Sequence, residues 1–213
     1  MRHDKATMNF QRRMLAIMGF FLPLTTIFGF IGGERNASDF WWSISAQYYA
    51  TSRDFMVGTL WVFACFLFTY LGHDLGDKLT TKFSAAMAFC ILLFPCKTSA
   101  AGPTTGLLAL PTPLSHAIHC ICAAGLFGSF AYMIGFRFTK AGSVILTEAK
   151  KKKNLVFRIC AGIIALAMVS QFITSLAGVG WFTIINETIM LWSFSFAWAV
   201  KSCMIKRWED DYV

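Results

Sequence analysis

The stretch that decides the fold reads DFWWSISAQYYATSRD and covers residues 39–54. It places two Trp, two Tyr and four Ser or Thr between two long apolar runs. Trp and Tyr favour the boundary between membrane and water, because their rings are apolar while one end stays hydrated. The stretch therefore predicts the outer rim of a membrane protein, with an aromatic loop or interfacial helix over residues 39–50.

The composition of the whole chain also favours a lipid environment. Of 213 residues, 56% are hydrophobic and 14% are charged, and the mean hydropathy is +0.57. A soluble domain carries about 25% charged residues, and a soluble chain of this size has too little interior for so much apolar surface. We predict an all-α, polytopic integral membrane protein, a helical bundle in which residues 1–213 form a single transmembrane domain.

Six apolar runs are candidates for transmembrane helices, which need roughly 20 residues to cross a hydrocarbon core of about 30 Å. Thr51–Asp54 has the spacing of a capping box and predicts the start of the second helix. The third run is the shortest. The predicted spans are residues 14–32, 54–72, 82–96, 114–136, 155–177 and 181–200.

The basic residues between these runs predict the orientation. Of 19 Lys and Arg residues, all but Arg35, Arg53 and Lys97 fall on the side that carries both termini. Cytoplasmic segments are enriched in Lys and Arg, so both termini are predicted to be cytoplasmic and the aromatic rim to face outward. The protein is expected in the plasma (inner) membrane. The net charge of +8 then reflects topology, and no nucleic-acid partner is expected.

Sequence motifs exclude several function classes. The seven Cys lie mostly in apolar runs and contain no CxxC pair, which is typical of core packing rather than of a metal finger. The chain has no P-loop, no dinucleotide-binding fingerprint, no HExxH and no GxSxG. Nucleotide chemistry is therefore not expected.

Polar residues are predicted to gather at the outer rim. His116 and His119 share one face of the fourth helix, and Glu187 lies roughly 9 Å below the outer end of the sixth. A carboxylate at that depth needs a partner or a hydrated cavity. We expect Glu187 and His119 to face the interior and to share a direct or water-bridged hydrogen bond. The candidate ligand-binding residues are Ser43, Ser45, Tyr48, Tyr49, Arg53, Asp54, His116, His119 and Glu187.

These residues leave three functions open. The first is a polar pocket that binds a membrane lipid headgroup or a small ligand, in lipid handling or signalling. The second is a zinc-dependent membrane hydrolase acting on lipid, since His nitrogen and carboxylate oxygen are common zinc ligands. The third is a channel or transport component, although charged residues do not recur along several spans. The candidate zinc ligands are His116, His119, Asp54 and Glu187.

Two further patterns carry predictions. Small residues four positions apart on the fourth helix, Ala124 with Gly128 and Gly125 with Ser129, predict close helix packing and a homo-oligomer. The segment 73–82, with its histidine and two aspartates, is predicted to be a solvated turn.

A set of short motifs runs along the chain: Ser43–Ser45, Arg53–Gly58, His119, Ala123–Phe127, Tyr132, Glu187 and Trp192. In these motifs the chain resembles the DRAM/Frag/Sfk group of six-helix membrane proteins and related uncharacterised bacterial families. The resemblance covers roughly residues 14–200 and implies a small polytopic protein in lipid handling, membrane organisation or signalling. A weaker similarity is to transmembrane ceramidase-like zinc hydrolases, whose terminal HxxxH is absent here.

Overall fold

The computed structural model describes residues 2–31, 42–140 and 147–204, and in the first of these ranges the side chains of residues 5–26. Residues 39–41 of the predicted rim lie outside the described residues. Within the described ranges the chain is mostly helical, which confirms the all-α prediction. Its six α-helices are α1 (Arg2–Ile31), α2 (Arg53–Thr69), α3 (Leu75–Leu93), α4 (Thr112–Tyr132), α5 (Glu148–Leu176) and α6 (Phe182–Lys201).

Three short elements join the helices. A 3-10 helix, Ser45–Tyr49, leads into α2, and a π-helical turn, Met133–Arg137, extends α4. The connection between α3 and α4 contains a small antiparallel ladder in which β1 (Thr104–Thr105) pairs with β2 (Leu110–Pro111).

The six helices form a closed ring in chain order. Each helix packs on its neighbours in sequence, and α6 returns to pack against α1. The centre of the ring is aromatic: Phe63, Phe130 and Phe194, from α2, α4 and α6, are fully buried. Their ring centroids lie 5.9, 5.4 and 4.1 Å apart. Aromatic contacts of this kind hold the three alternate helices together beyond their burial alone.

The contact between α1 and α6 depends on a glycine. A Cβ atom at Gly19 would lie 2.6 Å from the Ser195 hydroxyl oxygen, so a larger residue would push the two helices apart. Next to this point the indole N–H of Trp192 donates to the carbonyl of Phe20 at 3.3 Å. The close approach closes the ring and brings the last helix beside the first.

One of the predicted small-residue pairs, Gly125 with Ser129, packs α4 against another helix of the same chain. The Ser129 hydroxyl lies 2.7 Å from the Ser84 hydroxyl, which joins α4 to α3. A Cβ atom at Gly125 would lie 2.9 Å from the sulfur of Met87 on α3. Gly125 and Ser129 therefore serve packing within the ring, and the prediction of a homo-oligomer now depends on Ala124 and Gly128.

Three helices begin well before the predicted spans: α1, which starts at Arg2 instead of residue 14, and α3 and α5, which are extended by caps. α3 starts at Leu75, where an Asp74 carboxylate oxygen accepts from the Asp77 backbone N–H at 2.9 Å. α5 starts at Glu148, where the Thr147 hydroxyl accepts from the Lys150 N–H at 3.2 Å. The prediction of a solvated turn over residues 73–82 is therefore wrong for most of that segment. Capping extends these helices into polar sequence, which a hydropathy pattern does not detect.

The predicted capping box at Thr51–Asp54 is also wrong. Ser52 occupies the N-cap position of α2, but its side chain makes no capping hydrogen bond. Its hydroxyl donates instead to the side-chain oxygen of Gln47 at 2.5 Å. This bond ties the first turn of α2 to the 3-10 helix.

Among the described residues, two helical segments are long and apolar enough to cross a membrane, Thr112–Arg137 and Glu148–Leu176. The other helices fall short for separate reasons. α2 has 17 residues, and α6 carries Asn186 and Glu187 within its apolar sequence.

Candidate functional site

A cavity of about 780 Å³ lies between α4, α5 and α6 at the end of the ring that carries Trp42, here called the Trp42 end. Small-molecule sites have volumes of about 300–1,000 Å³, so the cavity has the size of a ligand site. Its polar lining comprises Ser43, Cys96, Lys97, Thr98, Ser99, His116, His119, Cys120, Gln171, Ser175, Thr183 and Glu187. Its apolar lining comprises Trp42, Ala46, Ala123, Ala124, Phe127, Met168, Phe172, Gly180 and Met190.

The Glu187 carboxylate anchors the segment Ser43–Ser45 to α6. The Ser43 hydroxyl lies 3.0 Å from each carboxylate oxygen, and the Ile44 backbone N–H donates at 2.6 Å. The Ser45 hydroxyl donates at 3.5 Å. The group formed by Ser43, Ile44, Ser45 and Glu187 is called the Glu187 clamp below. It holds the chain before α2 over the end of α6, 144 residues away in sequence.

The Glu187 carboxylate has neutral partners. Its donors are two hydroxyls and one amide, and no Lys, Arg or His of the described residues forms an ion pair with it. The side chain is only partly buried, and it lines the cavity. A carboxylate away from bulk water is usually compensated by a cation. Glu187 has no such cation among the described residues, so its charge is available to a ligand in the cavity.

The two histidines line the cavity from α4. His119 is buried, and its Nδ1–H donates to the Phe94 carbonyl at 2.8 Å. His116 is half-buried, and its Nδ1 accepts from the Lys97 backbone N–H at 3.2 Å. Each ring therefore fixes the chain that follows α3. The predicted direct bond between His119 and Glu187 does not form among the described side chains, although both line the same cavity.

Gln171 organises the third wall. Its side-chain amide donates to Ser175 at 3.1 Å and to Thr183 at 3.0 Å, and its carbonyl oxygen accepts from Asn186 at 3.1 Å. This network joins α5 to α6 beside Glu187. This network was not predicted, although the sequence contains two signals for it, a single Gln in the fifth apolar run and an Asn next to Glu187.

Thr98 carries a polar atom without a protein partner. Its hydroxyl oxygen is buried and makes no hydrogen bond to any part of the chain that the structure describes, yet Thr98 lines the cavity. Buried hydroxyls almost always have a partner. The oxygen itself is not accessible from the cavity, so Thr98 lines this space through its other atoms.

Five predicted ligand-binding residues do not line the cavity: Ser45, which belongs to the Glu187 clamp, and Tyr48, Tyr49, Arg53 and Asp54. Asp54 and Arg53 are exposed on the first turn of α2, where the Arg53 guanidinium donates to the Tyr48 hydroxyl at 3.0 Å. The Tyr49 hydroxyl donates to the Cys96 carbonyl at 2.8 Å and also pairs with Thr105. Burial raises the pKa of Tyr49, which keeps this phenol a donor. These residues support the rim instead of facing a ligand.

The predicted zinc set is not assembled. Within residues 2–31, 42–140 and 147–204, no three His, Cys, Asp or Glu side chains are grouped so as to hold a metal ion. Asp54 is exposed and lies outside the cavity, while His116 and His119 each bind backbone. The prediction grouped the four residues by depth along their helices; His116, His119 and Glu187 do line one cavity, but Asp54 lies on another face.

A polar network at the opposite end was also missed. This end, called the Arg137 end, carries Arg12, which is buried. The Arg12 guanidinium donates to the Tyr70 hydroxyl at 2.9 Å and to Nε2 of His73 at 2.7 Å. Burial and the neighbouring Arg12 lower the pKa of His73, which keeps the imidazole a neutral acceptor. The network fixes α1 against the end of α2.

The second part of this network joins α3 to the π-helical turn. Arg137 Nε donates to Asp77 at 2.8 Å, and its terminal nitrogen pairs with Asp74. Lys140 adds a contact to Asp74 at 3.2 Å. The backbone N–H of Asp77 is the main cause of the lowered pKa of Asp74. Two acids expected to be solvated therefore hold α3 and α4 together.

Comparison with protein-family models, curated proteins and solved structures finds no match to this chain. The resemblance to the DRAM/Frag/Sfk group therefore stays a prediction. Fold and site together define a ring of six helices with a ligand-sized cavity at one end.

Proposed function

We propose that the chain is a six-span integral membrane protein whose outward-facing cavity binds a lipid-like amphipathic ligand. The observation that carries the proposal is the cavity itself, which joins a polar wall around Glu187 to an apolar wall around Phe127 and Met168. A molecule with a polar headgroup and a hydrocarbon chain matches both surfaces.

The outer faces of the helices support the membrane part of the proposal. In a soluble bundle the outward faces are polar, whereas here large apolar side chains are exposed on every helix. Leu166 on α5 is 71% exposed and Ile121 on α4 is 70% exposed. Further examples are Phe21 on α1, Trp61 on α2, Phe83 on α3 and Phe196 on α6. In lipid such side chains need no protein partner.

The lateral position of the cavity supports access from lipid. Phe172 lines the cavity and is also 67% exposed on α5, and Ala124 on α4 lines it and is exposed as well. The gap between α4 and α5 therefore connects the cavity with the outer face of the ring. An amphipathic ligand would enter through this gap without crossing water.

The orientation is tested with a membrane-impermeant maleimide on intact cells. In a background without the native cysteines, Leu107→Cys at the Trp42 end should react, because residue 107 is 79% exposed in the predicted outer loop. Lys152→Cys on α5 should react only after lysis, since Lys and Arg concentrate on the cytoplasmic side. Labelling of both positions in intact cells contradicts the six-span arrangement.

The cavity is tested by filling it. Ala123→Trp on α4 places an indole in the cavity and should abolish binding of a radiolabelled lysophospholipid to the purified protein. Ile121→Trp, on the exposed face of the same helix, is the matched control and should bind normally. Equal binding by both variants would show that the ligand occupies another place.

A further inference from the structure

The cavity has a charge distribution that selects among amphipathic ligands. Glu187 contributes a carboxylate that has only neutral donors among the described residues. Lys97 and His116, from the α3–α4 connection and from α4, line the same cavity, and Lys97 is the cation among them because His116 Nδ1 accepts a hydrogen bond. A carboxylate and a cation from different elements therefore both border the space a ligand would fill.

Trp42 adds an aromatic surface beside the carboxylate. It precedes Ser43, a member of the Glu187 clamp, and its indole lines the cavity. A Cβ atom at Gly180 would lie 2.8 Å from the Trp42 ring, so the indole rests directly on the turn before α6. An aromatic face next to a carboxylate is the arrangement that recognises ammonium groups, through cation–π and Coulomb attraction together.

We propose that the ligand of this cavity carries an ammonium group, bound beside Glu187 and Trp42, and that its headgroup is zwitterionic, with a phosphate directed to Lys97 and His116. The proposal rests on the proposed function, because it names the class of the amphipathic ligand. The ammonium supplies the cation that Glu187 lacks, and the phosphate pairs with the ammonium of Lys97. The hydrocarbon chain lies along Phe127 and Met168.

The decisive experiment compares three probes with hydrocarbon chains of equal length: palmitoyl-lysophosphatidylcholine, palmitoyl-lysophosphatidylglycerol and hexadecyltrimethylammonium. Equilibrium binding to the purified wild-type chain should be about tenfold tighter for lysophosphatidylcholine than for lysophosphatidylglycerol. The affinity of the trimethylammonium probe should lie between these two, since it fills the site beside Glu187 but makes no contact with Lys97 and His116. Equal or tighter binding of lysophosphatidylglycerol would overturn the proposal.

Glu187→Gln tests the carboxylate, because it keeps an acceptor for the Glu187 clamp and removes the charge. The substitution should abolish the preference for the two ammonium probes and should not lower the affinity for lysophosphatidylglycerol. Asp54→Asn is the matched control, since it makes the same chemical change at an exposed residue outside the cavity. A uniform weakening of all three probes by Glu187→Gln would refute the assignment.

Trp42→Leu provides a second test that leaves the carboxylate and its donors in place. It should weaken the two ammonium probes several-fold, and Trp181→Leu, an exposed indole outside the cavity, should not. Failure of every probe to bind the wild-type chain would contradict the proposed function itself. Binding of all probes without headgroup preference would contradict only the zwitterionic ligand.

Discussion

Replacement of Glu187 by leucine is expected to lower the free energy of unfolding by about 3 kcal/mol. The substitution leaves the hydroxyls of Ser43 and Ser45 and the backbone N–H of Ile44 without an acceptor. A buried donor left unsatisfied costs about 1–3 kcal/mol, and bonds to a charged acceptor are the stronger ones. Thermal unfolding in detergent measures the loss.

Two further variants make this result specific. Glu187→Gln keeps one carbonyl oxygen for the same donors and should lose only about 1 kcal/mol. Ile185→Leu changes an exposed apolar residue on the same helix and should be neutral. A Glu187→Leu protein as stable as the wild type would mean that the Glu187 clamp contributes nothing to folding and that Glu187 serves binding alone.

Replacement of Arg137 by glutamine is expected to cost about 3 kcal/mol at neutral pH. The Arg137 side chain is 8% exposed and pairs with Asp77, which is 15% exposed, as well as with Asp74. Removing the cation leaves a poorly hydrated Asp77 carboxylate and separates α3 from the turn after α4. Such a loss exceeds that of surface ion pairs because the remaining charge stays away from water.

Lys140 supplies the matched comparison. Its ammonium is 54% exposed and contacts the half-exposed Asp74, so Lys140→Gln should cost no more than about 0.5 kcal/mol. The pKa of Asp74 is below its ordinary value, so its favourable contribution is present above the unfolded pKa and disappears as the pH falls through the folded pKa. The Asp77 backbone N–H is the largest cause of this low pKa and Arg137 a smaller one, so part of the Arg137→Gln penalty should disappear in acid. A pH-independent penalty would assign the loss to packing instead.

Much of the fold could be predicted because the apolar runs are long and their ends are marked by polar sequence. The positions where the helices begin and end could be predicted less well from the sequence. α5 continues through the four-lysine run, because Thr147 caps it there. Hydropathy detects where lipid would begin and carries no information about where a helix begins. The same reason explains why α3 starts seven residues before its predicted span.

The site was predicted in part for an equally physical reason. Glu187 and Ser43 were identified because titratable and hydroxyl groups near one membrane depth are rare and tend to be paired. Depth along a helix can be counted from sequence, but the direction of a side chain around the helix depends on how the helices pack. Asp54 therefore points away from the cavity, although its depth was suitable, and Gln171 points into it.

The long sequence separation within the Glu187 clamp has a consequence for biosynthesis. Ser43 leaves the ribosome 144 residues before Glu187. At about 5–20 residues per second, the segment waits roughly 7–30 seconds for its acceptor. Helices α1 to α5 are thus made before the ring can close. The last helix, α6, completes the ring. It also supplies Glu187, the only carboxylate among the described residues that line the cavity. A chain arrested before α6 would lack both the helix that closes the ring and the carboxylate of the cavity wall.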